Sequence, residues 1–180
     1  MTGLSGRLLG IILYSAQIRV LKGGFVPDLF DSNYDLYRAY RYQALQTASD
    51  SGITAGWYAN AGLSVLKDKI VFNAIVEGPF AQNPAVATND SAQYPHLRAV
   101  LSTAEGLIGG FSVDAGYDKY FLGRDTDFWH DLISAKNAQI QAKLNYKTGA
   151  AVVSLLYNLR YDPIADSFDV SSSLQTAISY

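Results

Sequence analysis

Residues 137–147 read NAQIQAKLNYK and alternate between polar and apolar side chains. The apolar positions are Ala138, Ile140, Ala142, Leu144 and Tyr146. A β-strand points successive side chains to opposite faces, whereas a helix would scatter both sets around its circumference. The stretch therefore predicts a strand with one apolar and one polar face.

The same alternation recurs along the chain and predicts about eight antiparallel strands in one domain that covers residues 1–180. These strands are expected near residues 7–21, 53–66, 69–78, 96–104, 107–121, 136–147, 149–162 and 167–180. Tight turns alternate with longer links, with the short link at 162–166 as an exception, so the tight turns should lie at one rim of the sheet and the long links at the other. An even strand count would also place both outer strand ends on the short-turn side. This arrangement predicts an all-β, up-and-down antiparallel β-barrel.

The composition limits the function classes that fit. Only 17% of the residues are charged although 49% are hydrophobic, and an average soluble domain has about 25% charged residues. The longest apolar run, at 8–14, contains Gly10 and is far shorter than the roughly 20 residues that a spanning helix needs. The chain is therefore expected to be either soluble or membrane-spanning through strands.

Charge and cysteine content exclude other classes. The net charge is −2 and no Lys/Arg cluster is present, so nucleic acid is not an expected partner. Cysteine is absent, which excludes disulfides, zinc–thiolate sites and a thiol nucleophile. The two histidines, His96 and His130, lack metal-ligand spacing. We expect neither a metal nor a cofactor, and we expect no enzymatic activity.

Alternation alone leaves the outward face open. A transmembrane barrel presents its apolar face to lipid, whereas a soluble lipocalin-like barrel lines a ligand cavity with it. Long strands, a polar face rich in Asn, Gln and Ser, and aromatic residues near strand ends favour the membrane alternative. These aromatic residues are Tyr14, Trp57, Tyr117, Tyr120, Tyr146, Tyr157, Tyr161 and Tyr180. The lipid bilayer is therefore the expected partner.

The segment Leu174–Tyr180 carries a resemblance to a known class. It alternates apolar positions and has a terminal aromatic residue, although Ser172 and Thr176 replace the usual apolar choice. It is similar to the C-terminal strand of small outer-membrane β-barrel proteins of Gram-negative bacteria, some of them porin-like. The resemblance implies an outer-membrane location and insertion by the barrel-assembly machinery. It fits a small eight-stranded barrel or the C-terminal part of a larger one. No secretory signal opens the sequence, so an exported form would have lost its leader or belong to a longer chain.

The polar faces of the expected strands carry charged residues that would meet in the barrel interior. They are Arg19, Glu77, Arg98, Asp114, Asp118, Lys143, Arg160 and Asp169. Buried charges must pair, so in an eight-stranded barrel they would form a salt-bridged plug. A selective pore lined by the same charges would need a larger barrel.

Two long links contain candidate contact residues. In the first, Ser32 and Asp35 resemble a capping box, and a helix would place Tyr34, Tyr37 and Arg41 along one face. This helix could pack on the rim, close the mouth or bind a partner, and an additional strand is the alternative. In the third, Trp129 and His130 lie among acidic residues. Acid–base chemistry is conceivable there, but consecutive residues of a short helix point in different directions, so we assign no catalytic residue.

Overall fold

The structure is a computed structural model that describes residues 1–22, 38, 42, 46, 53–82, 93–105, 107–162 and 165–178. In these residues nine strands form one antiparallel sheet, in which every strand pairs with the next along the chain. The strands are β1 (Thr2–Leu8), β2 (Ile12–Lys22), β3 (Ile53–Val65), β4 (Ile70–Pro79), β5 (His96–Thr103), β6 (Phe111–Lys119), β7 (Ala138–Thr148), β8 (Ala151–Asp162) and β9 (Ser167–Ile178). A short helix, α1 (Phe128–Ile133), lies between β6 and β7. The all-β antiparallel prediction is confirmed.

The predicted count of eight strands is wrong, because the segment expected as one strand at 7–21 belongs to a hairpin. β1 pairs with residues 12–18 of β2 along its whole length, with Leu8 opposite Ile12. Between them Leu9 and Gly10 adopt positive φ values of 53° and 71°, which glycine accepts readily and leucine does not. Apolar residues on both faces hide this turn in the sequence. The other seven segments correspond to β3–β9.

The strand boundaries differ most at β6. The prediction placed a strand at 107–121, whereas β6 covers Phe111–Lys119. A bridge between Ile108 and Phe111 forms a separate tight turn before it, and Phe121 has a positive φ of 59° that ends the extended backbone. Gly109 enables the turn with its own positive φ of 61°.

The tight turns lie at one edge of the strands, which we call the turn rim, and the long connections lie at the opposite edge, the link rim, together with the short connection at 163–166. The turn rim contains the connections at 9–11, 66–69, 104–110 and 149–150; the link rim contains those at 23–52, 80–95, 120–137 and 163–166. Because the strands number nine, β1 starts at the link rim and β9 ends at the turn rim. The expectation of both outer ends at one rim is therefore wrong.

The sheet is open. β1 and β9 each pair with a single neighbour in the described sheet, so it does not close into a barrel. Nine antiparallel strands also leave β1 and β9 running in the same direction. Joining these two edges would create a parallel pair in an otherwise antiparallel wall.

The register separates two continuous faces. Along one line across the sheet, Leu4 lies opposite Ala16, Ala16 opposite Ala59, and Ala59 opposite Val76. The same face continues at the far edge, where Leu144 lies opposite Leu155 and Leu155 opposite Leu174. We call this the apolar face and its reverse the polar face. The alternating pattern of the sequence is thus aligned from strand to strand.

The apolar face is the more exposed one. Exposed members include Ile18 on β2, Leu63 on β3, Leu155 on β8 and Leu174 on β9. On the polar face, Ser64, Ser112, Gln139 and Ser154 are buried. A soluble sheet would instead bury its apolar side chains.

Within the described residues, tight packing of apolar side chains is found at the link rim. Tyr120 and Phe121 form a small buried cluster against which Tyr94 packs, and Leu122 is 2% exposed beside them. In the first long link, Arg38, Tyr42 and Gln46 have helical backbone conformation and exposed side chains. This agrees with the predicted helix at those three positions. None of the helical segments that the structure describes has the length and hydrophobicity to cross a membrane.

Candidate functional site

The strand register places all eight charged residues that the sequence grouped together on the polar face. Gln17, Tyr58, Glu77 and His96 follow one another across β2–β5. A second row contains Arg98, Asp118, Gln139, Arg160 and Asp169 across β5–β9. Asp114 lies directly opposite Lys143, and Arg19 is two positions from Gln17 on β2 and so shares its face.

Five of the side chains on this face meet near the link rim, and we call them the polar-face cluster. They are Arg19, Tyr58, Glu77, His96 and Asp118. The Arg19 guanidinium donates to Glu77 across β3 and lies 4.2 Å from the centre of the Tyr58 ring. The side chains of Arg19, Glu77, His96 and Asp118 are each at most one-quarter exposed. The cluster is therefore sheltered, and its opposite charges compensate one another.

His96 lies at the centre of this cluster. Its Nδ1 is 3.8 Å from Glu77 Oε1, and its Nε2 is hydrogen-bonded to Asp118. The ring also stacks on Tyr120 with centroids 4.4 Å apart and planes 12° apart. These contacts hold the imidazole between two carboxylates and an aromatic face, and so fix its orientation.

The other predicted charges form smaller contacts along the same face. Arg160 lies 3.4 Å from Asp169, its directly opposite residue on β9. Asp114 accepts a 3.3 Å hydrogen bond from Asn145, which also contacts Ser112 and Ser154. The face is thus lined by a chain of polar contacts, with no one site that gathers all the charges.

Some buried polar atoms on this face lack a hydrogen-bond partner within the described part of the chain. They are Arg19 Nε, Asn60 Oδ1, Asn73 Oδ1 and Arg160 Nε. Buried polar groups in proteins almost always have a partner, and water fills that role where protein does not. The polar face is thus suited to contact with water.

The sequence missed the roles of His96 and Tyr58. The sequence indicated only that His96 lacks metal-ligand spacing to the other histidine. The signal that could have found it is the register, since Glu77 and His96 are opposite each other on β4 and β5. Pairing of Arg19 with Glu77, which are 58 positions apart, needs the fold rather than the sequence alone.

The third long link is organised around α1. Asp127 caps the helix and accepts hydrogen bonds from the backbone N–H groups of Trp129 and His130, at 3.1 and 3.2 Å. The His130 ring lies 2.5 Å from the other oxygen of Asp127 and is largely exposed. Trp129 is exposed as well. These contacts form a helix cap and bring no nucleophile to His130.

A buried ion pair fixes α1 to the sheet. The Lys119 ammonium at the end of β6 lies 2.9 Å from Asp131 and also donates to the carbonyls of Ser134 and Lys136. The other oxygen of Asp131 accepts a 2.9 Å hydrogen bond from the Gly123 N–H. The pairing compensates the burial of both charges, since an unpaired buried charge is costly.

Three carboxylates in turns and links are held ionised by their neighbours. The hydrogen bonds of His130 to Asp127, from backbone and side chain, lower the pKa of that carboxyl. Hydrogen bonding by Arg124 lowers the pKa of Asp125, and the Ser64 hydroxyl followed by Arg7 lowers the pKa of Asp68. These groups therefore stay charged at neutral pH and serve local structure.

Among the predicted link contacts, Tyr34, Tyr37 and Arg41 lie outside the described residues. Trp129 and His130 are described and both point to the exterior. In the part of the chain that the structure covers, no group of three or more His, Asp or Glu side chains is arranged to hold a metal ion.

Comparison with known proteins gives no family for this chain. No protein-family model, curated protein or solved structure matches it.

Proposed function

We propose that this chain forms part of the wall of a transmembrane β-barrel in a Gram-negative outer membrane, with a passive, non-catalytic transport role. In this proposal the apolar face contacts lipid and the polar face lines the interior. The polar-face cluster then lies near one mouth of the lumen, at the link rim.

The observation that carries the proposal is the distribution of charge between the two faces. In the nine strands of the structure, the apolar face contains two charged residues, Lys22 and Lys119, and both stand at strand ends on the link rim. The middle of that face carries no charge and exposes large apolar side chains such as that of Leu155. A charged side chain facing lipid is destabilising near the bilayer midplane and tolerated near the interfaces. The charge distribution follows this rule.

Most aromatic residues on the apolar face form two groups near the strand ends, and Tyr157, expected near a strand end, lies instead in the middle of β8. Tyr14, Phe72, Phe111 and Tyr146 lie toward the turn rim, and the last two pack with ring centroids 4.7 Å apart. Trp57, Tyr117, Tyr161 and Phe168 lie toward the link rim. Aromatic residues are enriched at both interfaces of membrane barrels. Tyr120 stacks on His96 instead and does not belong to either group.

The open sheet favours a larger barrel over a complete small one. Bacterial single-chain barrels have an even number of antiparallel strands, so the nine strands described here would need an odd number of further strands. A larger barrel has an interior too wide for side chains to fill. This supports a water-filled lumen over a salt-bridged plug.

The alternative of a soluble lipocalin-like barrel is disfavoured. It would line its cavity with apolar side chains, whereas Ile18, Leu63 and Leu174 are exposed and polar residues occupy the sheltered face. The terminal strand β9 also keeps its apolar alternation at Val170, Leu174 and Ile178. We propose that the barrel-assembly machinery recognises this strand.

Refolding in detergent tests the proposal. The purified chain should gain β-structure on dilution from urea into micelles. In plain buffer it should aggregate, because the apolar face would meet water. A monodisperse monomer with native β-structure in plain buffer would overturn the proposal.

A further inference from the structure

Helix α1 buries a charge and exposes two large apolar residues, while Phe128 and Leu132 are half-buried on the side of the sheet. Its buried residue is the charged Asp131, at 4% exposure, while Trp129 is 73% and Ile133 84% exposed. Trp129 and Ile133 are four positions apart and therefore share one side of the helix. A soluble helix buries its apolar stripe and exposes its charges. The sheet likewise exposes large apolar residues, such as Leu63 and Leu155.

Helix α1 also lies on the apolar side of the sheet. Lys119 lies opposite Leu97, and Tyr117 opposite Ala99, so both belong to the apolar face. Lys119 holds Asp131 through the ion pair. The Tyr117 hydroxyl donates to the carbonyls of Leu132 and Ser134, at 3.0 and 3.3 Å. The third link thus folds back over the link-rim end of the apolar face.

The attachment is firm. The three ammonium protons of Lys119 have three acceptors, namely Asp131 and the carbonyls of Ser134 and Lys136. Lys119 is 0% exposed. The cap at Asp127 fixes the other end of the helix. The exposed apolar residues are consequently held in place by polar contacts on the opposite side.

We propose that α1 is a membrane-interface anchor, which inserts Trp129 and Ile133 into the boundary between lipid headgroups and acyl chains. This inference rests on the proposed transmembrane barrel and adds a contact outside its strands. The apolar side chains of α1 continue the apolar face of the sheet at the link rim. Tryptophan is enriched at that depth, because its ring is apolar and its N–H is polar.

The two tryptophans make the inference testable at one residue each. Trp57→Phe leaves Trp129 as the single tryptophan, and Trp129→Phe leaves Trp57, which lies on the apolar face of β3. Both variants are reconstituted into phosphatidylcholine vesicles with and without brominated acyl chains. Bromine quenches tryptophan fluorescence only at close range.

We expect Trp129 emission to shift to the blue on reconstitution and to lose intensity in brominated vesicles, as Trp57 emission does. Quenching of Trp57 without quenching of Trp129 would overturn the anchor and leave the barrel proposal standing. If neither tryptophan is quenched, the proposed membrane setting fails, and the anchor with it.

Discussion

The Lys119 ammonium lies 2.9 Å from the Asp131 carboxylate, and both side chains are buried at the link-rim end of the apolar face. Lys119 is the only charged residue of β3–β9 on that face, and the third long link covers it. The ion pair therefore has two structural effects. It removes a charge from the apolar surface, and it holds a helix whose outer side is apolar.

Replacing Lys119 by Met should destabilise the protein by about 3–5 kcal/mol, because Asp131 would remain buried without its counter-charge. The double variant Lys119→Met with Asp131→Leu should recover a large part of this loss, since no unpaired charge is left. The free energy of unfolding in micelles measures both. Equal losses in the single and double variants would show that the pair itself contributes little.

A lysine on the apolar face should be far more damaging than one on the polar face of the same strand. Leu144 and Gln141 both lie on β7, both are exposed, and they face opposite sides. Leu144→Lys should lower the free energy of unfolding by about 2–4 kcal/mol in a bilayer. An exposed surface substitution such as Gln141→Lys should change it by no more than about 0.5 kcal/mol. Urea titration in vesicles supplies the comparison. If both variants lost only a small and similar amount of stability, the apolar face would be in contact with water instead of lipid.

Ion selectivity should respond to the polar-face cluster. Glu77→Gln removes the partner of Arg19 and should shift the reversal potential in planar bilayers toward anion preference, as should Asp118→Asn. Arg98→Gln, outside the cluster but opposite Asp118, should shift it toward cations. Glu105→Gln is the matched control, because Glu105 pairs with Lys147 in an exposed position at the turn rim. If the control variant shifted the reversal potential by the same amount, ion selectivity would not depend on the polar-face cluster.

Lowering the pH should destabilise α1. Hydrogen bonding with His130 lowers the pKa of Asp127 below the ordinary 3.8. The cap therefore stabilises the folded form above that value, and its contribution disappears as the pH falls through the lowered pKa. In a Trp57→Phe background, Trp129 emission should change below pH 3.8.

The control for this acid response is Asp127→Asn. Asparagine caps helices about as well as aspartate, but it does not titrate. The response should therefore flatten in this variant. An unchanged response would place its origin in another group.

The fold could be read from the sequence where one face of a strand is apolar and the other polar. Seven predicted segments correspond to β3–β9 for this reason. The β1–β2 hairpin was missed because Leu8, Leu9 and Ile11 surround its turn with apolar residues. The open edges of the sheet could not be predicted either, because alternation defines the two faces of a strand and does not indicate whether a sheet closes.

The candidate site was predictable only as a list of residues on one face. Its contacts depend on which strands are neighbours, so His96 between Glu77 and Asp118 emerges from the register. Lys119 occupies an apolar-face position that alternation does not explain. Its reason is the fold of the third link, which delivers Asp131 to it.

The central claim is that the apolar face contacts lipid, and spin-label accessibility along β7 tests it most directly. The chain contains no cysteine, so single cysteines at each position of 138–148 can carry a nitroxide after reconstitution into vesicles. We expect collision with oxygen, which concentrates in lipid, to peak at Ile140, Ala142 and Leu144. Collision with a water-soluble nickel complex should peak at the residues between them. The account would be contradicted if oxygen collision peaked at the residues between Ile140, Ala142 and Leu144 and nickel collision peaked at these three. It would also be contradicted if the apolar positions were shielded from both reagents.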